Sequence, residues 1–166
     1  MAPTIIVANL GQAGIVSSVL AEAAEWVAGR SERLWHAQHV SVQAVAPDVE
    51  LDTYFIAWLN GDAAGVVRLQ MEDPEFWPDA AEAEAIYVHR LAVRRKYAGG
   101  EVSGALLEYA ARRAGELGRK YLRLDCAADR PALRNVYKRF GFRFCDEREM
   151  GSFVIARYEL AVAPAA

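Results

Sequence analysis

The strongest constraint on the fold is an alternation of strand-like and helix-like runs that continues through most of the chain. Apolar residues recur at helical spacing in some runs, and they alternate or run continuously in others. The predicted order of elements is β-α-α-β-β-β-α-β-α-β-β. This order predicts an α/β fold in which helices flank a mixed sheet.

In the first half, a short strand, TIIVA, precedes a helix with apolar residues at helical spacing from Val16 to Val27. A second helix is predicted to start at Ser31 and to end at Pro47. Two strands follow, joined by Asn60-Gly61, a dipeptide that favours a tight hairpin because both residues tolerate positive φ. The first half is therefore predicted to hold three of the strands.

The second half alternates strands and helices. A helix is predicted from Val102 to Leu117, followed by the strand YLRLDCA and a helix that Asp129 is expected to cap. The apolar residues of that last helix, expected to be buried, are Leu133, Val136, Tyr137 and Phe140. Two strands complete a single domain predicted over residues 1–160, and residues 161–166 are expected to form a disordered tail.

Composition narrows the class of protein. The chain has 166 residues, 54% of them apolar, which is enough for a full core. Its net charge of −3 argues against a general nucleic-acid partner, which would need a basic face. No apolar run approaches the roughly 20 residues that span a bilayer, and the start lacks the features of a signal peptide. We therefore expect a cytoplasmic protein with no membrane partner.

One junction carries most of the functional information. The apolar run AIYVHRLAV is followed by YAGGEVSGALL, which opens a helix. A glycine turn at a helix start directs unpaired backbone N–H groups at a common point, where the helix dipole favours an anion. The spacing matches neither the Gly-Lys-Ser/Thr nor the G-x-G-x-x-G phosphate loop. From these residues alone, a phosphate site and a simple glycine turn both remain open.

From HRLAV through YAGGEVSGALL to RNVYKRFGF, the sequence resembles the N-acetyltransferase superfamily known as GNAT. Leu91-Ala92-Val93 matches the strand end of that family, and Leu106-Leu107 falls at the spacing of its helix start. Tyr137 and Gly141-Phe142 match its second signature. The resemblance covers residues 86–160. It implies a GNAT-like, mostly antiparallel mixed sheet with splayed central strands, and acetyl-CoA-dependent transfer of an acetyl group directly to an amine.

The resemblance also implies the residues that bind acetyl-CoA. They lie in the strand end, in a segment that we call the glycine loop (Ala98–Gly104) and at the start of the last helix. They are Leu91, Ala92, Val93, Ala98, Gly99, Gly100, Glu101, Val102, Ser103, Gly104 and Arg130. Arg130 stands where the family often has an asparagine near the pantetheine, and it either reaches a phosphate or carbonyl or is a solvated first-turn residue. Arg94, Arg95 and Lys96 flank the loop and could attract phosphates, although surface arginines are common.

The glycine loop departs from the family pattern at three positions. Ala98 replaces an Arg or Gln, Glu101 replaces the central Gly, and Ser103 stands where the family has Gly or Ala. Because a carboxylate would repel phosphates, Glu101 is expected to point away from the ligand and to pair with Arg94, Arg95 or Lys96. These departures keep open a rival function, that of a non-catalytic module that binds acyl-CoA or a partner protein.

Two residues are candidates for proton transfer. Tyr137 falls at the family position that donates a proton to the departing CoA thiolate, and the alternative is a half-buried tyrosine without a role in catalysis. His89, two residues before Leu91, would take the proton of the amine, or is a structural histidine. Cys126 shares a strand face with leucines, which indicates packing rather than an acyl-carrying role.

No metal is expected, because the three histidines make no ligand pattern with the two cysteines. The segment Glu72–Glu84, which we call the acidic loop, either attracts a cationic amine or is a solvated connection. Trp26, Trp35 and Tyr54 either line an acceptor pocket or pack in the core. The acceptor has no signature in the sequence. A homodimer is an expectation from the resemblance alone.

Overall fold

The computed structural model describes residues 1–28 and 35–165. The strands are β1 (Thr4–Val7), β2 (Tyr54–Leu59), β3 (Asp62–Gln70), β4 (Ala85–Val93), β5 (Tyr121–Ala127), β6 (Arg143–Glu149) and β7 (Val154–Ala161). The helices are α1 (Ala13–Ala28), α2 (Val42–Glu50), α3 (Val102–Glu116) and α4 (Pro131–Phe140). The predicted order of strands and helices is confirmed. None of the described helices is long and apolar enough to cross a membrane.

The seven strands form one mixed sheet in the order β1-β2-β3-β4-β5-β7-β6. The β4–β5 pair is parallel, with register from Ala85↔Tyr121 to Val88↔Leu124. The pairs β1–β2, β2–β3, β5–β7 and β6–β7 are antiparallel. The hairpin at Asn60-Gly61 has φ of 53° and 82° at these two residues, as the dipeptide predicted. The α/β class and the mixed sheet flanked by helices are confirmed.

The described residues pack as two compact units. The first comprises Met1–Leu69 and Arg90–Tyr109, and its core includes Val16 and Leu20 of α1, Val45 of α2 and Ile56 of β2. The second comprises Gln70–His89 and Ala110–Ala166. The single domain predicted over residues 1–160 stays a prediction.

Close approach between helix and sheet fixes the start of α3 in the first unit. A Cβ on Gly65 of β3 would lie 2.9 Å from the Ala92 carbonyl oxygen and 2.9 Å from Cγ1 of Val102. It would also lie 3.2 Å from Cδ1 of Leu106. Only glycine leaves room for this packing, because real Cβ contacts are longer. The position of the first turn of α3 therefore depends on Gly65.

The predicted bounds of the second helix were wrong. Residues 29–34, which include the predicted start at Ser31, lie outside the described residues. Within the described part, α2 begins after Ser41, whose hydroxyl accepts the N–H of Ala44 at 3.2 Å. Pro47 lies inside the helix, which continues to Glu50. Buried Val45 and Val49, four residues apart, hold the helix through the position where proline removes one hydrogen bond.

Two details of the second half also need correction. Arg130, not Asp129, is the N-cap residue of α4, with Pro131 in the first turn as expected. Of the four residues of α4 expected to be buried, only Tyr137 is; Leu133 and Phe140 are half-buried and Val136 is 41% exposed, because this short helix buries only a narrow face. In addition, β7 includes Ala161, one residue beyond the predicted domain end, and the Val162 N–H donates to the Lys120 carbonyl at 3.0 Å.

Replacing Gly65 with alanine is expected to destabilise the protein by about 1–3 kcal/mol, the usual cost of overpacking. The added Cβ must displace the Ala92 backbone or the first turn of α3. The free energy of unfolding from urea titration measures this. Gly14→Ala is the control, since its Cβ meets nothing within 4 Å. A Gly65→Ala variant as stable as the wild type would contradict the packing argument.

Candidate active site

Strand β4 contains a backbone irregularity at Arg90, whose φ is 52°. A positive φ in a non-glycine residue costs on the order of 1–3 kcal/mol, and such residues cluster at functional sites. The Arg90 guanidinium lies 5.1 Å from the ring centroid of Trp35. The strand end Leu91–Val93 directly follows the irregularity at Arg90.

Tyr54 was predicted either to line a pocket or to pack in the core. It is a core residue, and burial raises its pKa to about 12.

The glycine loop turns the chain from β4 into α3. Residues 95–97 form a short 3₁₀ turn, and Gly99 follows with a φ of 75°. The Ala105 N–H donates to the Glu101 carbonyl at 2.9 Å, which closes the first turn of α3. The N–H groups at the very start of a helix have no acceptor within it. A Cβ at Gly99 or at Gly104 would meet nothing within 4 Å, so the backbone is open to a ligand at both positions.

The expected partners of Glu101 were wrong. Its carboxylate is 58% exposed and lies 3.9 Å from the amino group of Met1. Arg94 instead binds the Ala63 carbonyl and Glu22, while Lys96 pairs with Asp62. The reason is that the short 3₁₀ turn directs these basic side chains toward α1 and the β2–β3 hairpin. Such contacts form across the fold and cannot be predicted from neighbours in sequence.

The three basic residues before the loop have partners in the first unit. The Arg94 Nε donates to the Ala63 carbonyl at 2.8 Å, and the Arg95 N–H donates to Glu22 at 2.8 Å. The Arg95 guanidinium lies 4.3 Å from the ring centroid of Trp26. These contacts leave backbone N–H groups as the principal donors of the glycine loop.

Tyr137 lies on α4 in the second unit and is 6% exposed. Its ring packs against Phe142 and Tyr158, with centroids 5.9 and 6.2 Å away. Burial raises the pKa of its hydroxyl, so the group keeps its proton at neutral pH. A protonated, desolvated phenol can donate to a developing thiolate. Arg130 lies nearby, and its charge lowers the pKa of Tyr137 by a smaller amount.

Cys126 is buried on β5, and burial raises the pKa of its thiol to about 11. A thiol in this state is not a nucleophile at neutral pH. The prediction that Cys126 packs in the core is therefore consistent with its environment.

His89 has two carboxylate neighbours that sequence analysis did not single out. Its Nε2 lies 3.0 Å from Oδ2 of Asp73, which is an ion-pair distance but not on the line of a hydrogen bond. One side-chain ligand atom from each of Asp73, His89 and Asp125 lies within 4.8 Å of the other two. We call these three residues the carboxylate–imidazole cluster. They also offer ligand types that a divalent cation accepts, so the expected absence of a metal stays a prediction.

Asp125 carries the most perturbed carboxyl of this cluster. Burial raises its pKa to about 6, with smaller increases from Asp73 and Glu75, while His89 and Arg157 lower it. One signal in the sequence could have pointed to it: an acidic residue in an apolar strand. The parallel register, which the structure shows, places Leu124 beside Val88, one residue before Asp125 and His89. Asp73 offered no such signal, because it lies in a loop.

The acidic loop has a defined structure. Trp77 is 6% exposed and lies under two arginines, with guanidinium carbons 4.3 Å (Arg157) and 4.9 Å (Arg123) from its ring centroid. Asp73 Oδ1 accepts the Phe76 N–H at 3.1 Å, and Arg157 binds Asp79 at 2.8 Å. These contacts place Asp73 against His89.

Comparison with known proteins agrees with the strand order and the motifs. The family model described as Acetyltransferase (GNAT) family matches residues 20–142. The chain belongs to the GNAT acetyltransferase family. It is 30% identical over 135 residues to the uncharacterized N-acetyltransferase YesJ of Bacillus subtilis (strain 168), covering 78% of this chain and 75% of YesJ.

Two solved structures have the same fold. A GNAT-family acetyltransferase from Streptococcus agalactiae aligns with a TM-score of 0.82 at 13% identity, covering 97% of this chain and 96% of its own. The yncA protein from Salmonella typhimurium, solved with its cofactor acetyl-CoA, aligns with a TM-score of 0.74 at 13% identity, covering 100% of this chain and 97% of its own. All candidate site residues of this GNAT chain, from His89 to Tyr137, lie within the matched range.

The raised pKa of Asp125 predicts how stability changes with pH. The folded state holds this proton more tightly than the unfolded state, whose pKa is near 3.8. The contribution of Asp125 to the free energy of unfolding therefore falls by up to about 3 kcal/mol as pH rises from 4 to 6, because the buried carboxyl loses its proton in this range. Urea titration of wild type and Asp125→Asn at pH 4.5 and 7.5 measures it. The variant should gain stability relative to wild type at pH 7.5, and an equal difference at both pH values would contradict the assignment.

Proposed function

We propose that this GNAT protein transfers the acetyl group of acetyl-CoA directly to the nitrogen of an amine. Family membership supports the reaction class, and one observation supports the cofactor: α3 begins at a loop with open backbone at Gly99 and Gly104. The N–H groups of Val102, Ser103 and Gly104 need acceptors, and a pyrophosphate supplies them.

In this proposal the strand end binds the pantetheine arm. Leu91 and Val93 pair through their backbone groups with its amides, with Ala92 between them anchored against Gly65. The glycine loop, Ala98–Gly104, binds the pyrophosphate through N–H groups rather than side chains. Arg130 at the start of α4 supplies positive charge to the cofactor. The altered residues Ala98 and Ser103 do not remove any backbone donor.

The reaction needs two proton transfers. His89 takes a proton from the ammonium of the acceptor, and the freed lone pair attacks the acetyl carbonyl carbon. A C–N bond forms, the C–S bond breaks, and Tyr137 donates its proton to the CoA thiolate. Tyr137 regains a proton from the nitrogen as the amide forms, and His89 releases its proton to solvent. The products are an acetylated amine, CoA and one proton.

The rival function is a non-catalytic acyl-CoA-binding or protein-interaction module. The exposed carboxylate of Glu101 at the start of α3 favours it, because a negative charge there opposes a pyrophosphate. Under the rival function Tyr137 and His89 are packing residues only. Binding of acetyl-CoA and acetyl transfer are therefore separate questions.

Calorimetric titration with acetyl-CoA and with CoA tests the cofactor site. Wild-type protein should bind both, and Gly99→Val should weaken binding at least about tenfold, the loss expected for one charged hydrogen bond. Gly151→Val is a matched control in the β6–β7 turn. Gly151 has φ of 76° and open space at its Cβ, while Gly99 has φ of 75° and open space as well.

Gly99→Val and Gly151→Val are expected to carry the same backbone strain, so the free energy of unfolding should fall by a similar amount in each. Only Gly99→Val should lose affinity for acetyl-CoA. Equal affinity in both variants would remove the glycine loop from the cofactor site. Wild-type protein that binds neither acetyl-CoA nor CoA would overturn the proposed function.

A further inference from the structure

The carboxylate–imidazole cluster contains buried polar atoms without hydrogen-bond partners. Among the described residues, Asp73 Oδ2, His89 Nε2 and Asp125 Oδ1 are buried and make no hydrogen bond of good geometry, although Asp73 Oδ2 and His89 Nε2 lie 3.0 Å apart at ion-pair distance. The Asp73 side chain is only 5% exposed. Buried polar atoms left in this state are costly, so their convergence indicates a ligand that satisfies them.

The cluster is short of positive charge. It holds two carboxylates and one imidazole, and two buried arginines of the second unit bind other acids. Arg157 binds Asp79 and Asp146, and Arg123 binds Glu84 and Glu159. A cationic ligand would restore the balance.

A cavity of 240 Å³ adjoins the cluster within the second unit. It shares Asp73 with the cluster and is also lined by Trp77 and Tyr87, with the exposed carboxylates of Glu72 and Glu82 among its other lining residues. At about 30 Å³ per water, this is room for about eight waters. An aliphatic chain of several heavy atoms fits such a volume. Asp73 therefore belongs both to the cluster and to the wall of the cavity, and the exposed residues Glu72 and Glu82 lie in the same wall.

We propose that the carboxylate–imidazole cluster binds the reacting ammonium of the acceptor, and that the acceptor is a small aliphatic diamine. This inference rests on the proposed function and names its substrate class. Asp73 and Asp125 accept hydrogen bonds from the ammonium beside His89. The second ammonium lies in the adjoining cavity near Glu72 and Glu82, and the aliphatic chain packs between the two ends.

Calorimetric titration with three probes of similar length tests the inference: 1,4-diaminobutane, butylamine and 1,4-butanediol. Wild-type protein should bind the diamine best, butylamine more weakly and the diol not at all. Asp73→Asn and Asp125→Asn should each weaken diamine binding at least about tenfold, since a charged hydrogen bond is lost. In the Asp73→Asn variant the side-chain carbonyl oxygen can still accept the Phe76 N–H, so the loop should keep its turn.

Two further variants test the binding of the second ammonium separately from that of the first. The double variant Glu72→Gln, Glu82→Gln should reduce the affinity for the diamine toward that for butylamine and leave butylamine unchanged. Glu108→Gln removes one negative charge from the exposed surface of α3 and should change neither affinity. Diamine binding that Asp73→Asn and Asp125→Asn leave intact would overturn the assignment of the cluster.

The same preparations are titrated with acetyl-CoA and with Zn²⁺. Binding of acetyl-CoA without binding of the diamine would overturn this inference and leave the proposed function standing. Tight Zn²⁺ binding that depends on Asp73, together with no diamine binding, would show that the cluster is a metal site instead. Loss of acetyl-CoA binding alone would count against the proposed function and not against the diamine site.

Discussion

The backbone at Arg90 is the constraint on which both parts of the candidate site depend. Before it, β4 pairs in parallel with β5 as far as Val88↔Leu124, and the side chains of the next residues, His89 and Asp125, come within 4.8 Å of each other. After it, the strand end runs beside Gly65, and the Arg94 N–H donates to the Ala64 carbonyl at 2.8 Å. A regular strand would continue the β4–β5 register without interruption. The positive φ therefore separates the part of β4 that carries a titratable side chain from the part proposed to bind cofactor through its backbone.

The two units contribute different chemistry. In the first unit the candidate groups are backbone atoms of the strand end, the glycine loop and the N-terminus of α3. The position of that helix start depends on Gly65. In the second unit the candidate groups are side chains. Trp77 packs under Arg123 and Arg157 and thereby holds Asp73 against His89. This division explains why the glycine loop can differ from the family pattern at Ala98 and Ser103 without losing its donors. In the proposed site, the acidic loop of the second unit carries the carboxylates that would select the acceptor.

Local patterns in the sequence predicted the element order, the hairpin at Asn60-Gly61 and the family. They did so because apolar periodicity and turn residues act over a few positions. Pro47 and Val136 were misjudged because tertiary packing overrides periodicity: buried Val45 and Val49 carry α2 through its proline, and α4 buries a narrow face. Asp73 was missed for a different reason. Its approach to His89 depends on the path of a loop, and that path is set by a tryptophan between two arginines far along the chain.

Direct acetyl transfer is tested by amine-dependent formation of CoA. Purified protein is incubated with acetyl-CoA and a panel of aliphatic amines, and free thiol and acetylated amine are quantified together. We expect one amide for each CoA released, and a fall in turnover of about a hundredfold in Tyr137→Phe, as for loss of a general acid. Tyr121→Phe is the matched control. Acetyl-CoA that binds but yields no amide with any amine would contradict direct acetyl transfer, and unchanged turnover in Tyr137→Phe would remove Tyr137 as the proton donor.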